Sequence, residues 1–195
     1  MTVFLIRHGR TLANEQHLYC GSTDLPLSRA GREALANRPP IDVGTAHFIT
    51  SGMRRCNETL AILFGDVPYE VVRDFREIDF GAFEMKSYEM LKDEPAYQAW
   101  LSRDPEINPP PGGESGEQMT RRVLAAYMAL ESRKENTVIV THGGVIAAIM
   151  ASLFPEEGKN RYQWQPKPGE GYAVTDGTYS AICLLYTSPS PRDCS

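Results

Sequence analysis

The apolar residues of the chain fall into short runs of strand length that alternate with longer amphipathic stretches. Residues 3–6 form a continuous apolar run, and residues 137–141 (TVIVT) are β-branched throughout, which favours a strand. The pattern predicts strands at 3–6, 47–50, 69–72, 137–141 and 178–186, and helices at 28–38, 51–64, 116–134 and 145–154. Ser28 and Ser51 are candidate N-caps. Strands that alternate with helices predict an α/β fold, a three-layer sandwich whose mostly parallel central sheet is flanked by helices.

A segment in the middle of the chain departs from this alternation. Residues 86–103 favour helix, with a break at Pro95, and residues 105–116 are rich in Pro and Gly and predict a loop. We interpret residues 84–116 as a lid-like insertion over one sheet edge, within a single domain that spans 1–186. Residues 187–195 (TSPSPRDCS) are polar and Pro-rich, which predicts disorder. They resemble non-native read-through more than the end of a domain.

Composition restricts the classes of partner. The formal net charge is −5 at pH 7, so neither a nucleic acid nor a membrane is an expected partner, and an anion site must be a local basic pocket. The apolar run at the start is too short for a signal peptide, and no run approaches the length of a membrane span. The four cysteines form no CxxC pair. We expect a cytoplasmic protein that is a monomer or a homodimer.

Three predicted strands end in corners that carry basic or histidine residues. The corners are Arg7-His8-Gly9, Ser51 with Arg54 and Arg55, and Thr141-His142-Gly143-Gly144. In an open α/β sheet, ligands bind in the crevice beyond the carboxyl ends of the strands. If these strands are parallel neighbours, two histidines and up to three arginines converge there. An anion between Arg54 and Arg55 would offset the unfavourable effect of cations in the first turn of a helix. The glycines after His142 permit close approach of the backbone to a ligand, and N–H groups at a helix start favour phosphate.

These residue types suit phosphoryl transfer. Two arginines can hold phosphate oxygens bidentately, and a histidine whose protonation is disfavoured by neighbouring cations is a competent nucleophile. A second histidine can donate to the non-bridging oxygens. The leaving oxygen also needs an acid, for which the candidates are Glu77, Glu84 and Glu114. The expected partner is therefore a small phosphorylated metabolite.

Competing phosphatase chemistries lack their motifs in this sequence. No cysteine has an arginine six positions later, no Asp-x-Asp-x-Thr segment exists, and no GxxxxGK[ST] loop exists. The four histidines show neither HExxH nor close paired spacing. We therefore expect no metal site and no cofactor.

The same positions carry a family resemblance. In chain order, the blocks are Arg7-His8-Gly9 followed by Thr11 and Asn14, Gly21-x-x-Asp24-x-Pro26-Leu27-Ser28-x-x-Gly31, Ser51-x-Met53-x-Arg55-Cys56-x-x-Thr59, Glu77-x-x-Phe80-Gly81-x-x-Glu84, Gly112-Gly113-Glu114-Ser115, and Thr141-His142-Gly143-Gly144. Together they resemble the histidine phosphatase superfamily, also called phosphoglycerate mutase-like proteins. The resemblance singles out Arg55 over Arg54.

The resemblance implies a role for each matching residue. His8 would be the phosphorylated nucleophile, and Glu77 the acid that later activates water, although the sequence does not decide between Glu77 and Glu84. The phosphate pocket would be formed by Arg7, Arg55 and His142. The predicted substrate-binding residues are Asn14, Gly21, Ser22, Thr23 and Gly143. The resemblance also implies metal-independent catalysis on a phosphoglycerate mutase-like fold.

The blocks look most like the alpha-ribazole phosphatase and broad-specificity phosphatase branch of the superfamily. This implies hydrolysis of a phosphomonoester such as alpha-ribazole-5'-phosphate. Two alternatives stay open. Phosphoglycerate mutase-type transfer uses the same pocket, but mutases of this family tend to be longer, with extra segments that this chain lacks. A non-catalytic binding module of the same fold would be marked by loss of a core residue, and here those positions are filled. The segments 19–23, 86–103 and 165–172 are candidate substrate contacts.

Overall fold

The central layer is a six-stranded sheet. The computed structural model describes residues 1–130 and 133–183. The strands are β1 (Thr2–Arg7), β2 (Ala46–Thr50), β3 (Tyr69–Val71), β4 (Asn136–Thr141), β5 (Gly171–Thr175) and β6 (Thr178–Ile182). Their order across the sheet is β3-β2-β4-β1-β5-β6. The first four in this order run parallel, β5 is antiparallel to β1, and β6 is antiparallel to β5. The prediction of a mostly parallel sheet is confirmed.

Helices follow the parallel strands. They are α1 (Leu12–Glu15), α2 (Arg29–Ala36), α3 (Arg54–Phe64), α4 (Tyr88–Leu91), α5 (Pro95–Ser102), α6 (Gly116–Met128) and α7 (Gly143–Leu153). Ser28 caps α2 as predicted, since its hydroxyl accepts from the Gly31 N–H at 3.0 Å. Ser115 and Gln118 form a capping box at the start of α6. Across the described residues, no helix has both the length and the apolar character needed to cross a bilayer.

The two faces of the sheet bury different helices because side chains alternate along a strand. On β1, Val3 and Leu5 belong to the apolar cluster that includes the buried residues of α6 and α7. Phe4 and Ile6 belong to the opposite cluster, with Leu60 of α3. Helix α7 is apolar around most of its circumference, as expected of a helix enclosed by the rest of the protein. The predicted three-layer α/β sandwich is confirmed, and its core lies on both sides of β1 and β4.

Several predicted boundaries were wrong. Helix α3 begins at Arg54 after Met53, so Ser51 does not cap it. Helix α6 ends at Met128, before the predicted position 134. Strand β5 (Gly171–Thr175) was not predicted, and its first two residues lie in the segment 165–172 that we named as a candidate substrate contact. A Cβ on Gly171 would overlap the Leu5 carbonyl oxygen, so glycine allows this strand to approach β1. The predicted end of the last strand, at 184–186, and the predicted disordered tail lie outside the described residues.

The 84–116 segment carries a small aromatic core of its own. The cluster contains Phe83, Leu91 and Tyr97, with Tyr19, Phe80 and Trp100 packed against it. The hydroxyls of Tyr19 and Tyr97 lie 2.6 Å apart. A short antiparallel bridge joins Leu18 to Ser87. The segment is thereby anchored to residues 18 and 19, which immediately precede the loop 21–23. Its role as a lid, and the single domain 1–186, stay predictions.

Candidate active site

The three corners that carry basic or histidine residues lie at one edge of the sheet. Strands β2, β4 and β1 are adjacent and parallel, so their carboxyl ends meet. The His8 N–H donates to the Thr141 carbonyl at 2.9 Å, which links two of the corners. The imidazole rings of His8 and His142 lie edge to face, with centroids 5.2 Å apart. The sheet order therefore brings together the residues that the sequence predicted to converge.

His8 is held through one of its two ring nitrogens, Nδ1. Its Nδ1 lies 2.7 Å from the Gly9 carbonyl oxygen, and because a carbonyl can only accept, Nδ1 carries the proton. The Nε2 atom then keeps its lone pair. Burial, followed by the charges of Arg55 and Arg7, holds the pKa of His8 well below its usual value. The Gly9 N–H donates to the Thr59 hydroxyl at 2.9 Å, which fixes the corner. His8 is thus a neutral imidazole that is held in one orientation.

His142 is fully buried and is bound at both ring nitrogens. Its Nε2 lies 2.9 Å from the Ser51 hydroxyl, and its Nδ1 accepts from Nε of Arg55 at 3.3 Å. Burial and the charge of Arg55 are the main causes that hold its pKa well below the usual value. Ser51, predicted as a helix cap, instead orients this histidine. The Cys56 thiol lies in the same contact, 3.5 Å from Nε2, and burial raises its pKa to about 12.

The two arginines of the predicted phosphate pocket differ in how they are held. Arg7 donates from Nη1 to the Pro166 carbonyl at 2.7 Å, while its Nε is buried without a hydrogen-bond partner in the described part of the chain. Burial lowers the pKa of Arg7, and Glu77 opposes that effect. Arg55 is only 1% exposed. Arg54 is exposed and pairs with Glu58 at 2.9 Å. Only Arg55 of this pair lies beside the two histidines, as the motif indicated.

The three candidate acids have different partners. Glu77 accepts from the Gly144 N–H at 3.0 Å, at the start of α7, and from the N–H of Ile78 at 3.0 Å. Glu114 is bound by the Arg122 guanidinium through two contacts of 2.7 Å. Glu84 accepts hydrogen bonds from the loop 21–23 and from the N–H of Phe80. Among these, Glu77 is the carboxylate bound to the N–H two residues after His142, which favours it as the acid.

The loop 21–23 lies beside Arg55, but its polar groups have partners within the protein. Its three backbone N–H groups donate to Glu84. The Ser22 hydroxyl donates to Asp79 at 2.9 Å, and the Thr23 hydroxyl donates to Glu84 at 2.6 Å. The Gly21 and Thr23 carbonyls accept from Arg55. Direct contact of this loop with substrate stays a prediction, since its donors are already occupied.

Two further predicted substrate-binding residues lie at helix starts. Asn14 belongs to a capping box of α1, and its Oδ1 accepts from the N–H and hydroxyl of Thr11, each at 3.0 Å. Gly143 begins α7, and a Cβ there would lie 3.0 Å from Cζ of Arg7. Glycine therefore lets the helix start approach the guanidinium. N–H groups at the start of a helix suit an anion, although that of Gly144 is already bound by Glu77.

One supporting residue was missed by the sequence analysis. Arg122 of α6 donates to the carbonyl oxygens of Asp74, Arg76 and Glu77, at 2.6, 2.8 and 3.2 Å, as well as to Glu114. It fixes the backbone that presents the Glu77 side chain. No local pattern marks this arginine, because those carbonyl partners lie more than forty positions away in the sequence. Within 1–130 and 133–183, no group of His, Cys, Asp and Glu side chains is arranged to hold a metal ion.

His8 and His142 should both stay neutral as the pH falls through 6.5. Their folded pKa values are depressed from the usual 6.5, so below that pH the unfolded chain binds more protons than the folded one. The free energy of unfolding should therefore fall as the pH is lowered from 6.5 toward the folded pKa values. NMR titration of the imidazoles between about pH 8 and about pH 5 measures their protonation. Urea unfolding over the same pH range measures the free energy of unfolding.

The variant His8→Gln identifies the NMR signal of His8, which it lacks, and serves as the control for the stability measurement. It should show a smaller loss of stability below pH 6.5 than the wild type, because one of the two depressed groups is gone. A His8 signal that titrates at 6.5 or above would contradict the prediction.

Known proteins match this chain over most of its length. Residues 3–175 match the model of the histidine phosphatase superfamily (branch 1). An adenosylcobalamin/alpha-ribazole phosphatase of Escherichia coli (strain K12) is 29% identical, over 93% of this chain and 89% of that protein. A probable phosphoglycerate mutase of Yersinia enterocolitica is 31% identical, over 78% of this chain and 74% of that protein.

Solved structures also match this chain over most of its length. A structure from Escherichia coli, described as a candidate alpha-ribazole-5'-P phosphatase, superposes with a TM-score of 0.80 at 26% identity, covering 93% of this chain and 94% of that one. A phosphoglycerate mutase from Thermus thermophilus superposes with a TM-score of 0.69 at 32% identity, covering 89% of this chain and 92% of that one. The match over residues 3–175 contains both histidines and both pocket arginines, and the chain belongs to branch 1 of the histidine phosphatase superfamily.

Proposed function

We propose that this protein hydrolyses phosphomonoesters through a phosphohistidine formed on His8. The observation that carries the proposal is the state of that side chain: Nδ1–H is bound to the Gly9 carbonyl, and Nε2 is an unprotonated nitrogen beside Arg7, Arg55 and His142. A neutral imidazole in a cationic pocket is suited to attack an anionic phosphoryl group.

The first step transfers the phosphoryl group to the protein. Nε2 of His8 attacks phosphorus in line with the leaving oxygen, the P–N bond forms and the P–O bond breaks. The leaving oxygen takes a proton from Glu77. Arg7 and Arg55 neutralise the charge on the non-bridging oxygens, and the start of α7 at Gly143 adds N–H donors.

The second step returns His8 to its starting state. Glu77, now a carboxylate, takes a proton from a water molecule, and the water oxygen attacks phosphorus as the P–N bond breaks. Inorganic phosphate leaves. The chain's own cations supply the charge stabilisation in both steps, which supports catalysis without a metal or cofactor.

The proposed substrate is a small phosphorylated metabolite, with alpha-ribazole-5'-phosphate as the first candidate. Support comes from the Escherichia coli relative named as an adenosylcobalamin/alpha-ribazole phosphatase, which matches along 93% of this chain. The second candidate function is phosphoglycerate mutase-type transfer, in which a substrate hydroxyl replaces water in the second step. It is favoured by the 31% identical relative named as a probable phosphoglycerate mutase.

A substrate panel with a chelator present tests the proposal. The purified protein would be incubated with alpha-ribazole-5'-phosphate, 3-phosphoglycerate and simple alkyl phosphates, and both free phosphate and phosphate-group migration would be followed. We expect phosphate release that the chelator does not suppress. Migration with little free phosphate would make the protein a mutase. No turnover of any substrate would favour a non-catalytic binding module and contradict the proposal.

A further inference from the structure

The carboxylate of Glu84 is bound to one side of the loop 21–23. The backbone N–H groups of Gly21, Ser22 and Thr23 donate to it, with shortest distances of 2.9, 3.0 and 3.2 Å, and the Thr23 hydroxyl adds a contact of 2.6 Å. Phe80 donates a further N–H at 3.0 Å. A carboxylate with this many donors has little freedom to reorient.

The opposite side of the same loop is bound to Arg55. Nη2 of Arg55 donates to the Gly21 carbonyl at 2.8 Å, and Nη1 donates to the Thr23 carbonyl at 2.7 Å. The Gly21 carbonyl and the Ser22 N–H belong to one peptide unit. In a trans peptide these two groups point in opposite directions. That single peptide therefore joins the Glu84 carboxylate directly to the Arg55 guanidinium.

The joining peptide cannot shift easily. Gly21 is buried, and a Cβ at this position would overlap the Ile78 carbonyl oxygen, so the loop backbone lies directly against the segment that follows Glu77. The charges at the two ends of the peptide also polarise it, which strengthens both hydrogen bonds. Glu84, the loop and Arg55 form one connected unit.

We propose that Glu84 is a positioning residue that fixes the orientation of Arg55 through the Gly21–Ser22 peptide. Each terminal nitrogen of Arg55 carries two hydrogens, of which one is donated to the loop and one is left for a phosphoryl oxygen. Holding the guanidinium in one orientation avoids an ordering cost when phosphate binds. The inference rests on the proposed function, in which Arg55 holds the phosphoryl group.

A double-mutant cycle tests the connection. The chains are the wild type, Glu84→Gln, Arg55→Ala and the double variant, and the measurements are calorimetric binding of inorganic phosphate and kcat/KM. Glutamine keeps the shape of Glu84 but loses its charge and one acceptor. We expect Glu84→Gln to weaken phosphate binding roughly tenfold in the wild-type background and by less than about twofold when Arg55 is already absent.

The matched control is Glu58→Gln. Like Glu84, Glu58 binds backbone. Its carboxylate accepts from the Leu27 N–H at 2.9 Å and also pairs with Arg32 and Arg54. Its partners do not include the loop 21–23. Phosphate binding by this variant should stay within about twofold of the wild type. A Glu84→Asp variant, which keeps the charge on a shorter side chain, should recover part of the loss caused by Glu84→Gln.

Leaving-group dependence separates positioning from acid catalysis. Loss of a positioning residue should lower kcat/KM equally for alkyl phosphates and for p-nitrophenyl phosphate, because Arg55 does not protonate the leaving oxygen. A loss in Glu84→Gln that grows with the basicity of the leaving group would make Glu84 the acid and overturn the proposal. The proposal would also be overturned if Glu84→Gln weakened phosphate binding by the same factor in the wild type and in the Arg55→Ala variant.

Failure of this inference is distinguishable from failure of the proposed function. Coupled phosphate binding in a protein that hydrolyses nothing would leave the positioning role intact and refute hydrolysis. Hydrolysis without coupling between Glu84 and Arg55 would refute the positioning role alone. A wild-type protein that neither binds phosphate nor releases it from any ester would refute both.

Discussion

Replacing His8 by alanine should lower kcat/KM for phosphomonoesters by roughly 10⁴-fold or more, the scale seen when a covalent nucleophile is removed. Nδ1 of His8 is bound to the Gly9 carbonyl, which leaves a lone pair on Nε2, and the charges of Arg55 and Arg7 act on this ring. His142 cannot replace it, because both of its ring nitrogens are engaged by Ser51 and Arg55. Initial rates with saturating and limiting substrate measure the effect.

Trapping of the intermediate gives a second measure of the same prediction. A rapid alkaline quench, which preserves phosphohistidine, should show phosphate bound to the wild type and none on the alanine variant. His47→Ala is the matched control, since His47 lies on β2 and pairs with Glu70 at the exposed end of that strand. Phosphate trapped on the His8→Ala variant, or turnover equal to the wild type, would remove His8 from the mechanism.

Replacing Glu77 by glutamine should lower kcat/KM for alkyl phosphates by about 10²- to 10⁴-fold, the usual contribution of a general acid. Glutamine can still accept from the Gly144 N–H, so the start of α7 should keep its geometry. The loss should be much smaller for p-nitrophenyl phosphate, because its leaving oxygen departs without protonation. Rates for a series of substrates whose leaving groups increase in basicity measure how steeply kcat/KM depends on that basicity.

Glu114→Gln is the control for this series. Its carboxylate is bound by Arg122, whereas the Gly144 N–H donates to Glu77, and the variant should show a small loss that does not depend on the leaving group. If Glu77→Gln gave the same loss for every leaving group, the acid would have to be sought elsewhere.

The convergence of His8, Arg55 and His142 was predictable because strand patterns and motif blocks coincide in the sequence. The run 137–141 is β-branched throughout, and the corner that follows it carries His142. Parallel neighbours then bring the corners together by geometry alone. The same reasoning predicted the layer architecture, since apolar strands and amphipathic helices alternate along most of the chain.

The supporting contacts were not predictable because they join distant positions through polar groups. Ser51 meets His142 across 91 positions, and Glu84 meets the loop 21–23 across about sixty. No local periodicity marks such pairs. Strand β5 was missed for a related reason, because its partner in the sheet is β1, near the start of the sequence.

The position of β1 has a consequence for how the chain is made. This strand leaves the ribosome well before its two neighbours, β4 and β5, which begin at residues 136 and 171. Until β4 has been synthesised, this apolar strand therefore has neither of its native partners and offers two unpaired edges. His8 and His142 cannot meet until β4 has docked. A nascent chain should consequently depend on protection of β1, and activity should appear only after β4 has docked.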